Sequence, residues 1–153
     1  MKRLIFAALL ALVAPLAFCA EEAPPSRAPR PSAEANGLLS WKTLAQVEEV
    51  KVNERIVHKF GAQITALDSK EIRLQGFMLP LEPGKKQRRF LLSANVPTCP
   101  FCLPGGPDSL IEVLCRKPIA FNMDPIVIAG KLSVLKDDPT GLWYRLTEAE
   151  LVQ

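Results

Sequence analysis

The sequence predicts a mainly β protein, a small OB-like barrel or a β-sandwich with one or two short helices. Three observations carry this. Short apolar runs of strand length recur between Ile72 and Leu146, each bounded by turn-forming residues. Ile72 and Leu74 alternate with Arg73 and Gln75, as a half-buried strand requires. Gly76 and Gly130 interrupt the two longest runs, and a glycine inside a strand marks a bulge or the sharp bend that curls a small sheet.

The chain opens on an export signal. Met1-Lys2-Arg3 is basic, Leu4 to Ala14 is almost wholly apolar, and small residues follow around Ala17 and Ala20. The apolar run falls short of the roughly 20 residues of a membrane span, and Pro15 breaks it. Residues 1–19 therefore read as a signal peptide. Ala17-Phe18-Cys19 fits a small-x-small cleavage rule, while Leu16-Ala17-Phe18-Cys19 resembles a lipobox whose Cys19 would be acylated. The expected location is periplasmic or secreted, with membrane attachment only through a lipidated Cys19. Residues 20–37 carry Pro24, Pro25, Pro29 and Pro31 among Ala, Ser and Glu, a composition that buries too little apolar surface to fold, and read as a tether. Residues 38–153, about 115 in number, suffice for one compact domain.

Within that domain Ser40 can cap a helix starting at Trp41, with Leu44, Ala45, Val47 and Lys51 at roughly helical spacing. From Val50 to Val57 the apolar positions fit neither period, and no element is predicted. Ile64 to Leu67 and Glu71 to Met78 read as strands around the turn Asp68-Ser69-Lys70. Pro83-Gly84 opens a hairpin tip whose basic run, Lys85-Lys86-Gln87-Arg88-Arg89, reads as a solvated face that anionic lipid or an acidic partner could use. Further strands are expected over Arg89 to Ser93, Leu110 to Cys115, Ile126 to Leu135 and Leu142 to Leu146. Asp137-Asp138-Pro139-Thr140-Gly141 closes a hairpin, and Thr147 to Leu151 reads as a last helical turn. Trp41, Trp143 and Tyr144 read as core or rim aromatics; adjacent strand positions face opposite ways, which puts one of Trp143 and Tyr144 outside.

Charge excludes one class of partner. The chain has 19 Lys and Arg against 16 Asp and Glu; without Lys2 and Arg3 the mature protein keeps 17 basic residues and is nearly neutral. No electrostatic case for nucleic acid survives.

The chemistry-bearing signal is Cys99-Pro100-Phe101-Cys102, followed by Leu103-Pro104-Gly105-Gly106-Pro107, a run that cannot continue as a helix. The pair sits in a loop, and Cys115 completes a C-x2-C-x12-C array. Three fates are open to it. Soft thiolates at this spacing can wrap a zinc or copper ion, with Cys115 as third sulfur, His58, the single histidine, as nitrogen ligand and Asp108 as a nearby carboxylate; Cu(I) needs only two or three thiolates. In an exported compartment Cys99 and Cys102 can instead close a disulfide that staples the loop. The same pair can exchange disulfides, with Cys99 as attacking thiol, although no adjacent lysine or second histidine would activate it. Cys115 shares strand parity with Ile111 and Val113 and reads equally as a buried thiol, and His58 as an exposed residue in a basic stretch.

A thioredoxin-like fold is rejected by spacing. Asp124-Pro125-Ile126-Val127-Ile128-Ala129-Gly130 looks like the proline-strand segment facing the thiols in such folds, but only 22 residues separate Cys102 from Pro125 and they open with a helix-breaking run. No Gly-x-Ser-x-Gly elbow and no phosphate-binding glycine loop occurs either, and no enzymatic chemistry is assigned.

Trp41 with Leu44, Ile72-Arg73-Leu74-Gln75-Gly76-Phe77-Met78-Leu79-Pro80-Leu81, Phe90-Leu91-Leu92, a cysteine before a Pro-rich loop, and Gly141-Leu142-Trp143-Tyr144-Arg145-Leu146 resemble an uncharacterised family of exported bacterial proteins, a domain of unknown function. Gly-Phe-Met-Leu-Pro-Leu is the most specific part. The resemblance implies export and a small β-rich domain, and, because some relatives are associated with metal uptake, a metal-uptake component or another protein as partner. Cys102 and Cys115 depart from the family pattern, so no site residue carries over.

Overall fold

Apolar residues on alternate positions of a strand put one face in a core, and from Glu71 onward the chain folds as that parity dictates. The structure, a computed structural model, describes residues 37–99 and 102–152. The signal peptide 1–19, residues 20–36 of the tether and acylation of Cys19 lie outside the described residues.

Five strands, β3 (Glu71–Pro80), β4 (Lys86–Ser93), β5 (Leu110–Ala120), β6 (Ile126–Val134) and β7 (Tyr144–Val152), close a barrel in the order β3-β4-β5-β7-β6. The last strand is inserted between the third and fourth of the barrel, and β5 and β7 run parallel while every other pair is antiparallel. This is the OB-like barrel; the sandwich alternative falls away. Leu74, Phe90, Ile111, Ile128, Leu132, Tyr144 and Leu146 fill its interior and are fully buried.

Gly76 sits where β3 changes partner: Gly76 pairs with Ile126 of β6, and Phe77 with Ser93 of β4. A Cβ there would lie 2.6 Å from the Ser93 carbonyl oxygen and 2.9 Å from Leu92 Cγ, so only glycine lets the strands meet at this corner. No register shift accompanies it, so Gly76 marks a close approach of strands and not a bulge. At Gly130 the shift is real, with two residues of β7 opposing it.

Two short helices accompany the barrel. Ser40 caps α1 (Trp41–Leu44), accepting a bond from the Lys42 N–H, but the helix is a single turn. Val47 and Lys51, expected to extend it, lie in β1 (Val47–Val52), which pairs with β2 (Arg55–Phe60) as a two-stranded ribbon around a turn with Asn53 and Glu54 at φ 48° and 65°. The stretch left without an element is this ribbon.

Two expectations are corrected. Ile64 to Leu67, read as strand, belongs to α2 (Ala62–Leu67), where Ile64 and Leu67 share a face one turn apart and Ile64 is fully buried. Thr147 to Leu151, read as helical, is the second half of β7. Glu148 there takes φ 53°, and the bulge puts the buried side chains of Leu146 and Ala149 three residues apart, a spacing that imitates a helix.

Tyr144 is fully buried and its hydroxyl donates to the Leu44 carbonyl at 2.7 Å, tying α1 to the barrel. Trp143 is buried as well, against the expectation that one of the pair faces out, because β2 covers it: His58 and Phe60 place their rings 4.8 and 6.4 Å from the indole.

Candidate functional site

The loop between β4 and β5 carries the cysteine pair, and its base is pinned by polar side chains. Ser93 Oγ accepts from the Asn95 N–H at 3.0 Å, Asn95 Nδ2 donates to the Pro104 carbonyl at 2.7 Å, and the Ala94 N–H donates to the Ser109 carbonyl at 3.0 Å. Gly105 lies so close to the Ser109 hydroxyl that a Cβ would collide with it. Pro107–Ser109 then form a single 3₁₀ turn that leads into β5.

The Cys99 and Cys102 sulfurs lie at disulfide distance, their Cα atoms 5.3 Å apart. Cys99 is half-buried and Cys102 exposed. Both line an apolar groove of about 580 Å³ walled by the outer side of the β3–β4 hairpin (Leu79, Leu91), the hairpin tip (Leu81), the cysteine loop (Leu103) and the β5–β6 loop (Phe121, Met123). Leu81, Leu103, Phe121 and Met123 are exposed large apolar side chains, Met123 at 82% and Leu103 at 65%. Monomers seldom present such side chains together without using them.

The hairpin beside the groove is built by one buried amide. Gln87 accepts from the Glu82 N–H and donates to the carbonyls of Glu82 and Gly84, at 3.3, 2.9 and 2.9 Å. So the basic run is not a uniform solvated face: Gln87 is buried, and Arg89 donates to Glu112 at 2.7 Å. Lys85, Lys86 and Arg88 remain exposed. The Phe121 N–H donates to the Lys85 carbonyl at 2.9 Å, which fixes these lysines next to the groove.

The other candidate ligands lie elsewhere. Cys115 is in the barrel wall, paired with Ala149 and buried beside Ile111 and Val113, where burial pushes its thiol up to about 11. That is the environment of an unreactive thiol. His58 lies on the ribbon, half-buried against Trp143 with Glu49 at 3.8 Å. Asp108 sits in the 3₁₀ turn. Among the described residues no three His, Cys, Asp or Glu gather as a metal-binding group. The structure brings together Cys99 and Cys102 and leaves Cys115 and His58 apart from them.

Phe121, Met123 and Leu103 are the site residues that the sequence reading passed over. A signal existed: two large apolar residues inside Phe121-Asn122-Met123-Asp124-Pro125, a run of turn formers, have no strand or helix to bury them.

A family model described as a protein of unknown function, DUF3299, matches residues 23–149. The chain belongs to the DUF3299 family. A crystal structure of a DUF3299 family protein from Pseudomonas aeruginosa PAO1 is similar to it at 23% identity, over 87% of this chain and 89% of that one, with a TM-score of 0.48. No curated protein matches this DUF3299 chain. Its Gly76-Phe77-Met78-Leu79-Pro80-Leu81 segment, the most specific part of the resemblance, begins where β3 changes partner strand and then walls the groove.

Proposed function

We propose that this chain is an exported binding module whose working surface is the apolar groove, and that the Cys99–Cys102 disulfide is a staple holding the groove's outer wall in place. The observation that supports it most is the coincidence of the disulfide with exposed Leu81, Leu103, Phe121 and Met123 around one concavity. The basic, apolar opening of the sequence supports export to the periplasm or beyond, where such a staple persists. Groups that would make the pair a catalyst are lacking in the sequence around it, whereas a staple needs none. A zinc or copper site would have to begin with the reduced pair alone, since Cys115 and His58 are held by the barrel and the ribbon.

The test reads the groove directly. 8-Anilinonaphthalene sulfonate fluorescence, with hydrogen exchange over residues 94–106, is compared for the oxidised protein, the reduced protein and Cys99→Ser/Cys102→Ser. Dye binding that weakens together with loop protection on reduction is the expected result. Unchanged dye binding and protection after reduction would overturn the reading.

A further inference from the structure

The groove's surroundings say what kind of surface it meets. Its exposed apolar side chains belong to three separate loops: Leu81 on the β3–β4 tip, Leu103 on the cysteine loop, and Phe121 and Met123 between β5 and β6. They project from loop ends, Met123 almost entirely, so a partner has to receive them at least as much as enter between them. Lys85 and Lys86 stand on the β4 side of the tip that carries Leu81, tied to the Phe121 loop by the bond from the Phe121 N–H to the Lys85 carbonyl, with Glu82 and Asp124 on the same loops; Arg88 lines a separate concavity with Arg89 and Cys115. Neither lysine forms an ion pair among the described residues.

Resting on the groove reading above, we infer that this surface docks on a bilayer containing anionic phospholipid. Projecting apolar tips flanked on one side by two unpaired lysines match the two layers of a bilayer interface: the tips enter the acyl boundary while the ammonium groups meet lipid phosphates. A second copy of the chain fits less well. A two-fold interface over the groove has to seat the projecting Met123 and Leu103 of each copy in the other's concavity, whose walls are the same projecting loops.

The test uses the chain secreted as Cys19→Ser, so that no acyl group contributes, in sedimentation with phosphatidylcholine vesicles with and without phosphatidylglycerol. Binding is expected only to the anionic vesicles and to fall as salt rises. Lys85→Gln/Lys86→Gln should weaken it by about 25-fold, about fivefold per lysine. Met123→Asp/Leu103→Asp, at positions too exposed to disturb the core, should abolish it with the circular dichroism spectrum intact. Equal binding to both vesicle types, or none to either, overturns the inference. A benzophenone side chain at position 123, photolysed in intact cells, separates the two levels. Lipid adducts support docking; an adduct with one protein, or with a second copy, overturns it and leaves the groove reading standing; no adduct at all, together with no vesicle binding, overturns both.

Discussion

Removing the Cys99–Cys102 bond tests the staple most sharply, because its size follows from the ring it closes. With a sequence separation of 3 the ring holds four residues, one of the shortest a disulfide can close. Chain-entropy bookkeeping gives such a ring about 6 cal/mol/K, or about 2 kcal/mol of stability at room temperature. The observed loss in Cys99→Ser/Cys102→Ser should stay at or below that figure, because the loop base is held independently by the Asn95–Pro104 and Ala94–Ser109 bonds and none of the fully buried barrel side chains lies in the loop. For a domain of about 115 residues this corresponds to a fall in Tm of about 8 °C at most. Urea unfolding of the oxidised, reduced and double-serine proteins measures it, and the m-value should not change, since the surface exposed by unfolding is nearly the same. A loss above about 4 kcal/mol would show that the ring-closure argument misses the bond's real role, that of a member of the cooperative core. The redox couple supplies a second check: a staple should have a potential below about −300 mV, and a value near −200 mV or above would sink it in favour of exchange.

Two further perturbations test the barrel that carries the site. Glu112 is buried on the outer face of β5 and bonded to Arg89 and Arg145; burial pushes its carboxyl up, but the two guanidinium groups outweigh that and hold it below the usual carboxylate range. Glu112→Gln should cost about 2 kcal/mol at neutral pH, a figure discounted because Arg89 is half exposed. Since the folded pKa lies below the unfolded one, this contribution is complete above the ordinary carboxylate range and disappears as pH falls through the lowered value, so the difference between wild type and Glu112→Gln in urea titrations should close in acid; a constant difference down to pH values where the pair is protonated would refute the ionic account. Gly76→Ala should cost about 1–3 kcal/mol as the corner opens to admit a Cβ, read as a shift of the urea midpoint; a neutral effect would mean that β3 and β4 slide apart freely there.

Much of the barrel was legible because parity is a local signal. Ile72, Leu74 and Met78 alternate inward along β3 as the sequence pattern requires, and Ile111, Val113 and Cys115 do so on β5. What failed did so where tertiary structure overrode the local period. Ile64-Thr65 carries β-branched residues that favour strand, yet burial of Ile64 against the core holds the segment as helix. In β7 a bulge at Glu148 rewrote period two as three, and no sequence period could reveal it. The ribbon was illegible for another reason: Val50, Val52 and Val57 face solvent, and among its described residues only Val47 and Phe60 at its ends pack against the core, with His58 on Trp143.

The candidate site divides along the same line. Its chemistry, the Cys99–Cys102 pair, is written within four consecutive residues and could be read directly. Its shape is assembled from Leu81, Leu103, Phe121 and Met123, residues far apart in the sequence whose adjacency depends on the barrel order. A thiol pair alone therefore left metal and staple open side by side, with exchange behind them for want of an activating group, because each needs the same two sulfurs. Their different needs carry the proposed reading: a metal site needs further ligands brought to the pair, an exchange site needs a group that stabilises a thiolate, and a staple needs only a wall to hold. The fold sends Cys115 into the core and His58 to Trp143, and puts around the pair a groove of apolar side chains. On the proposed reading, what the disulfide protects is the position of Leu103 relative to Met123 and Leu81.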